Sequence, residues 1–231
     1  MLDTLEVIWR TLMDKIISAF ETTLFDPILS ESVKKLADLG IDSLLEENVF
    51  ASIPVVNLMV GAAKTAQNIH DRNLLKQTVK FINTFNEGTI EKKKLNKHKE
   101  KLNNDSKYAE NELGRVIILL NSNVDLKKSE ILARFYKAYI EEDINWFKFC
   151  ELADVTSRTF IMDLEILKFI FQRKITDSTE SEIYQIERLV ALGLINTTTK
   201  SMTIGSNDSS QTENYVQTSS LRDLFCSIIF N

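Results

Sequence analysis

The chain has 231 residues, with 28 Lys and Arg against 33 Asp and Glu, so its formal net charge is −5. Apolar residues make up 44 % and charged residues 26 %, which is ordinary for a globular protein and excludes a chain that is disordered throughout. Six Gly and two Pro are too few for a turn-rich β protein, so the composition predicts long helices.

The N-terminus and the cysteines indicate the compartment. Asp3 and Glu6 stand where a signal peptide would be basic. The two cysteines, Cys150 and Cys226, lie in apolar helical patterns, and a secreted disulfide scaffold would have more. We therefore expect a reduced, cytoplasmic protein, and the acidic balance makes nucleic acid an unlikely partner.

The first half of the chain has the apolar periodicity of helices. It predicts helices over residues 3–24 and 30–39, with the Asp26-Pro27 pair between them and a short helix capped by Asp42 after them. A further amphipathic helix is expected to end near Gly88, and Thr89 is expected to cap the next one.

The most apolar segment, residues 49–63, is shorter than the about 20 residues that a membrane-spanning helix needs. We predict that it is a buried helix of a bundle. The alternative is that it forms a surface for a partner or, together with helix 3–24, for a membrane. The residues concerned are Ile53, Pro54, Val55, Val56, Leu58, Met59 and Val60.

Residues 89–107 hold seven Lys and a thin apolar seam of Leu95 and Leu102, which predicts a strongly solvated helix. Such a helix can also face an anion or an acidic membrane surface. The candidate anion-facing residues are Lys92, Lys93, Lys94, Lys97, Lys99 and Lys101. Residues 125–172 are rich in aromatic side chains at helical spacing and predict deeply buried helices.

No pattern of residues indicates catalysis. The two histidines, His70 and His98, lie in no nucleophile or ribonuclease motif, and no Gly-rich phosphate loop is present. The Glu-x-x-His pair of di-iron bundles is also absent. We expect ordinary surface histidines, and we predict no enzymatic activity, no cofactor and no metal site.

The C-terminal segment resembles the end of a winged-helix domain, in which a helix ending in L-x-x-L-G-L-I precedes a two-strand wing and a closing helix. The resemblance implies a wing over residues 197–220, whose Ser and Thr content predicts an exposed segment. The helix that would read DNA carries Glu180, Glu182 and Glu187, which disfavours DNA and favours protein interaction. The matching residues are Glu187, Arg188, Leu189, Leu192, Gly193, Leu194, Ile195, Tyr215, Thr218, Leu221 and Leu224.

The central part of the chain is similar to a widespread uncharacterised family of bacteria and prophages. The resemblance covers about residues 40–230, from IPVVNLMVGAAKTAQNIHDRNLLKQTVKFI through ELGRVIILL and LARFYKAYI to FKFCELADVTSRTFIMDLEIL. It implies a role in conflict between bacteria and phages.

Together these observations predict a mainly all-α protein, with a multi-helix bundle over residues 1–172 and a small winged-helix-like α+β unit over residues 177–231. We expect a non-enzymatic protein-interaction module that docks an unidentified protein partner. The alternatives are a membrane-associated effector at the inner face of the membrane, which would use segments 3–24 and 49–72, and a winged-helix DNA-binding regulator. Each of these three functions is compatible with a protein that forms homo-oligomers.

Overall fold

The computed structural model describes residues 2–39, 52–66, 69–172, 182–203 and 210–230. Eleven helices and two strands lie in this part of the chain, which confirms the predicted mainly helical fold class. The chain divides into two compact units, Met1–Phe149 and Cys150–Asn231.

The first unit is a helical bundle, and α8 (Trp146–Arg158) begins in it and ends in the second unit. The other helices of the bundle are α1 (Leu2–Phe25), α2 (Pro27–Leu39), α3 (Pro54–Ala66), α4 (Ile69–Phe85), α5 (Lys92–Asn104), α6 (Ser106–Ser122) and α7 (Leu126–Ile140).

Helix α4 lies at the centre of the bundle and packs against α2, α3 and α7, while α1 packs against α3 and α6. Burial of large apolar side chains from these helices provides the main stabilisation of the unit. Fully buried aromatic residues come from four of the helices: Phe20, Phe81, Phe135, Tyr136 and Phe149.

Proline and aspartate separate the first two helices, as the sequence predicts. Pro27 is the first residue of α2, a position where its missing N–H costs no hydrogen bond. The Asp26 side chain accepts a hydrogen bond from the Ile28 backbone N–H at 2.8 Å and so caps α2. The Asp42 cap that the sequence predicts lies outside the described residues.

The start of the lysine-rich helix differs from the prediction. Gly88 has φ +72° after α4, and α5 begins only at Lys92, so the predicted Thr89 cap is wrong. Glu91 is the cap residue instead, with its backbone carbonyl accepting the first helical hydrogen bond from the Leu95 N–H at 3.0 Å.

The second unit contains the rest of α8, a two-stranded sheet and three helices. These elements are α9 (Ile161–Phe171), α10 (Ile183–Ala191), β1 (Ile195–Thr203), β2 (Ser210–Thr218) and α11 (Ser220–Phe230). Helix α9 therefore belongs to this unit, whereas the sequence analysis assigned residues up to 172 to the bundle.

Strands β1 and β2 pair antiparallel, with Ile195 opposite Thr218, and residues 204–209 lie outside the described part of the predicted wing. Gly193 has φ +71° at the end of α10, a left-handed conformation that favours glycine after a helix. The Leu194 N–H donates to the Leu189 carbonyl at 3.0 Å and closes this turn. Helix α10 packs against β1 and α9, and α11 packs against α9.

Candidate functional site

The second unit presents exposed apolar side chains on two neighbouring helices. Phe160, directly before α9, is 59 % exposed and Met162 is 62 % exposed. On α10, Ile183 is 70 % exposed and Tyr184 is 54 % exposed. We call these four residues together with Arg188 the α9–α10 face.

Arg188 is fixed at this face by a buried carboxylate. Its Nε donates to Asp163 Oδ2 at 2.7 Å, and its Nη2 donates to Asp163 Oδ1 at 2.6 Å. Asp163 is fully buried, and an unpaired carboxylate there would be strongly unfavourable. The hydrogen bonds that Arg188 donates to Asp163 raise the pKa of Arg188 above its ordinary value. This two-pronged pairing fixes the guanidinium plane in one orientation.

Two aromatic rings flank the guanidinium. Its Cζ lies 5.2 Å from the centroid of Phe160 and 4.9 Å from that of Tyr184, both within the range of a cation–π contact. The Arg188 guanidinium is therefore ordered beside two rings before any partner arrives, and the face also presents the exposed side chains of Met162 and Ile183. Aromatic residues and arginine are the types that are enriched at the energetic centres of protein interfaces.

The surroundings of the α9–α10 face are acidic. Glu182 precedes α10, Glu187 lies on it and Glu165 lies on α9, and all three are exposed. Arg188, which matches the winged-helix pattern, already uses two donors on Asp163. Glu182 occupies the cap position of α10.

The structure places most of the apolar segment of residues 53–60 in the interior of the first unit. Ile53, Val55, Val56 and Met59 are buried, while Pro54, Leu58 and Val60 are half-buried. The burial supports the prediction of a core helix over the prediction of a partner or membrane surface. Among the described residues, none of the helices is both long and apolar enough to cross a membrane.

The six candidate lysines do not share one surface. Lys94, Lys97 and Lys101 line an open pocket beside the turn between α7 and α8. Lys92 and Lys93 are exposed, and Lys99 is half-buried on the side of α5 that lies near Glu21. The helix is therefore solvated, as predicted, but only three of its lysines converge.

His98 is not the surface group that the sequence analysis expects. It is buried between α5, α6 and α7, and its Nε2 lies 2.9 Å from Oε1 of the buried Glu112. Tyr136 donates to the same oxygen at 2.7 Å, and Tyr139 donates to Glu112 Oε2 at 3.0 Å. The Tyr108 and Tyr139 hydroxyl oxygens are 2.6 Å apart and extend the network toward the surface.

This buried network determines the ionisation of Glu112. Burial alone raises the pKa of Glu112, but the hydrogen bond and the charge of His98, with hydrogen bonds from Tyr108 and Tyr136, bring its pKa below the ordinary value. Burial and the charge of Glu112 in turn raise the pKa of Tyr136. The ionised Glu112 of α6 therefore links α5, through His98, to α7, through Tyr136.

A signal for His98 is present in the sequence. His98 lies three residues after Leu95 and four before Leu102, on the apolar seam of α5. Glu112 is followed by Leu113 and precedes Val116 by four residues, on the buried side of α6. Polar residues at core positions of an amphipathic helix indicate a buried partner.

In the part of the chain that the structure describes, no group of three or more His, Cys, Asp or Glu residues is arranged to hold a metal ion. No protein-family model, curated protein or solved structure matches the chain. The resemblance to a family of bacteria and prophages stays a prediction.

Proposed function

We propose that the protein is a non-enzymatic interaction module that binds a protein partner through the α9–α10 face of its second unit. The observation that carries this proposal is the Arg188 guanidinium, which is ordered between two exposed rings and anchored on a buried carboxylate. A side chain that is ordered before binding loses little conformational entropy when a partner docks on it.

The charges around the face indicate the chemistry of the partner. Glu182 and Glu187 lie one residue before and four residues after the exposed Ile183, and Glu165 lies three residues after the exposed Met162 on α9. A partner with an apolar centre and a basic rim complements this arrangement, and opposite charge accelerates association. We therefore propose a basic protein surface as the occupant.

Two chemical facts support a role without catalysis. The Nε2 of the buried His98 is already paired with the carboxylate of Glu112. Burial raises the pKa of the Cys226 thiol to about 12, so this cysteine is not an ionised nucleophile at neutral pH.

A matched pair of isoleucine variants tests the proposal in the native host. Ile183 is 70 % exposed on the face, and Ile118 is 62 % exposed on α6 of the first unit. We expect Ile183→Ser to reduce the amount of a copurifying basic protein at least tenfold, and Ile118→Ser to leave it unchanged, with both variants keeping the wild-type melting temperature. Equal capture by both variants would contradict the proposal. Arg188 is left intact because its removal would strand the buried Asp163.

The identity of the captured partner also tests the cellular setting. The resemblance of residues 40–230 implies conflict between bacteria and phages, so we propose a partner from either side of that conflict, in the cytoplasm. A partner in host metabolism would contradict this setting.

DNA binding is the alternative that the winged-helix order of elements favours. Lys200 of β1 lies opposite Glu213 of β2 in the register of the hairpin. On α10, Arg188 already donates two hydrogen bonds to Asp163. A DNA-binding regulator would shift DNA in a strongly salt-dependent manner. We expect no shift at 150 mM salt, and a shift that weakens steeply as salt rises would favour this alternative.

Membrane association requires release of the apolar segment, because Ile53, Val55 and Val56 are buried. We expect the folded protein to stay with the aqueous fraction when anionic liposomes are floated. If the protein floats with the liposomes and stays bound to them in high salt, the alternative of a membrane-associated effector at the inner face of the membrane would be favoured.

A further inference from the structure

We propose that the pocket between α5 and the α7–α8 turn binds a small organic phosphate that carries a planar ring, of the mononucleotide class. This site belongs to the first unit and is independent of the α9–α10 face. Its volume is about 600 Å³, within the range of about 300–1,000 Å³ that is usual for small-molecule sites.

One wall of the pocket is cationic because of the spacing of three lysines. Lys94, Lys97 and Lys101 lie at i, i+3 and i+7 of α5, so one side of the helix brings them to the pocket. The Lys101 Nζ lies 3.9 Å from the centroid of the Tyr108 ring. Among the described residues, no carboxylate forms an ion pair with Lys101.

The lining of the pocket also includes aromatic residues, among them Trp146 at the start of α8. Trp146 is half-buried and stacks on Phe149, with ring centroids 4.9 Å apart and planes 20° apart. Its centroid is 5.3 Å from that of Tyr139, another residue of the lining. Rigid aromatic groups of this kind bind planar rings by stacking. Asn145 caps α8 by accepting from the Lys148 N–H at 2.8 Å, and the positive end of the helix dipole adds to the cationic field.

The pocket also carries its own oxygen acceptors. Glu142 Oε1 lies 2.6 Å from the Lys97 Nζ, and Lys94 donates to the Glu141 backbone carbonyl. Asp143 also lines the pocket. Lys97 thus already holds one anion, the Glu142 carboxylate, and an incoming phosphate would exchange with it.

Glu142 is held in an unfavourable backbone conformation. Its φ is +59°, in the left-handed region that is costly for a residue with a Cβ. Strained residues are concentrated at binding sites, and here the strained residue is the one that pairs with a pocket lysine. The same geometry makes Glu142 the competitor of the ligand for Lys97.

Isothermal titration calorimetry with AMP, UMP, adenosine and inorganic phosphate tests the proposal on the full chain. We expect both mononucleotides to bind with submillimolar affinity that weakens as salt rises, and adenosine and phosphate to bind at least tenfold more weakly. Absence of mononucleotide binding at 5 mM ligand would overturn the proposal. Equal affinity for phosphate and AMP would show that the ring contributes nothing to binding and would overturn the proposal that the ligand carries a planar ring.

Variants on α5 and the turn locate the binding. Lys101→Gln is expected to weaken AMP binding about tenfold, whereas Lys93→Gln, an exposed lysine of the same helix, is expected to leave it unchanged. Glu142→Gln frees Lys97 and is expected to strengthen binding several-fold, which a merely structural role would not do. Equal weakening by Lys101→Gln and Lys93→Gln, or no strengthening by Glu142→Gln, would overturn the assignment to this pocket.

Discussion

The buried carboxylate of Glu112 shows how one residue determines the position of a helix. It accepts hydrogen bonds from Tyr136 at 2.7 Å and Tyr139 at 3.0 Å and pairs with His98 at 2.9 Å. An unpaired buried carboxylate is strongly unfavourable, so the bundle is stable only when α5 supplies His98 and α7 supplies the tyrosines.

Replacement of Glu112 is expected to change the response to acid. The pKa of Glu112 lies below 4.5 in the folded protein, so its stabilisation is complete above its unfolded pKa and is lost as pH falls through the folded pKa. We expect Glu112→Gln to lower the free energy of unfolding by about 2 kcal/mol at pH 7. Below pH 4.5 the variant should lose stability less steeply than the wild type in urea titrations at successive pH values. If the free energy of unfolding falls with pH equally steeply in the two proteins, the stabilising role of the ionised Glu112 would be contradicted.

At Glu142, relief of backbone strain is expected to raise the free energy of unfolding, whereas replacement of Glu112 lowers it. A left-handed residue with a Cβ costs about 1 kcal/mol more than Gly at the same place. Glu142→Gly and Glu142→Gln both lose the exposed ion pair with Lys97, so their difference isolates the backbone term. We expect the Gly variant to be more stable than the Gln variant by about 1 kcal/mol in chemical denaturation. A Gly variant that is less stable than the Gln variant would exclude strain at this position.

At the scale of elements, the period of apolar residues is sufficient to predict the helices. The helix over residues 3–24 is predicted from this period alone and agrees with α1 to within one residue at each end. The start of α5 is not predictable in this way, because Thr89 and Glu91 are both acceptable near a helix start. Which of them is used depends on the chain direction after Gly88, whose φ of +72° is a tertiary feature.

Helix α3 allows a direct test of the core. Val56 is buried, and its neighbour Asn57 is exposed on the same helix. We expect Val56→Asp to lower the free energy of unfolding by about 3–5 kcal/mol, because an unpaired charge enters the core, and to yield aggregated or partly unfolded protein. Asn57→Asp is expected to change stability by less than about 0.5 kcal/mol. A Val56→Asp protein with the wild-type melting temperature would overturn the core interpretation.

The candidate site is less predictable than the elements, for a physical reason. Tyr184 and Arg188 lie one turn apart on α10, but Phe160 is distant from both in the sequence, and only the packing of α10 on α9 brings it to them. Periodicity predicts which residues of one helix share a side, but it does not predict which two helices meet. The winged-helix resemblance includes Arg188, yet its pairing with Asp163 depends on the tertiary structure.

At the scale of the whole molecule, the two units offer different chemistry. The first unit contains the buried polar network and an open pocket with a lysine wall, and the second unit presents an apolar and acidic face. The net charge of −5 does not reveal this distribution, because cationic and acidic groups are concentrated at different positions along the chain. We propose that the α9–α10 face of the second unit contacts protein.

Site-specific photo-crosslinking in the native host tests that claim most directly. A benzoylphenylalanine is placed at Tyr184 on the α9–α10 face and, as the control, at Phe147, an exposed aromatic residue of the first unit. The account predicts a discrete adduct with a basic protein from position 184 and none of that size from position 147. Adducts from position 184 that contain only nucleic acid or lipid, or the same protein adduct from both positions, would contradict it.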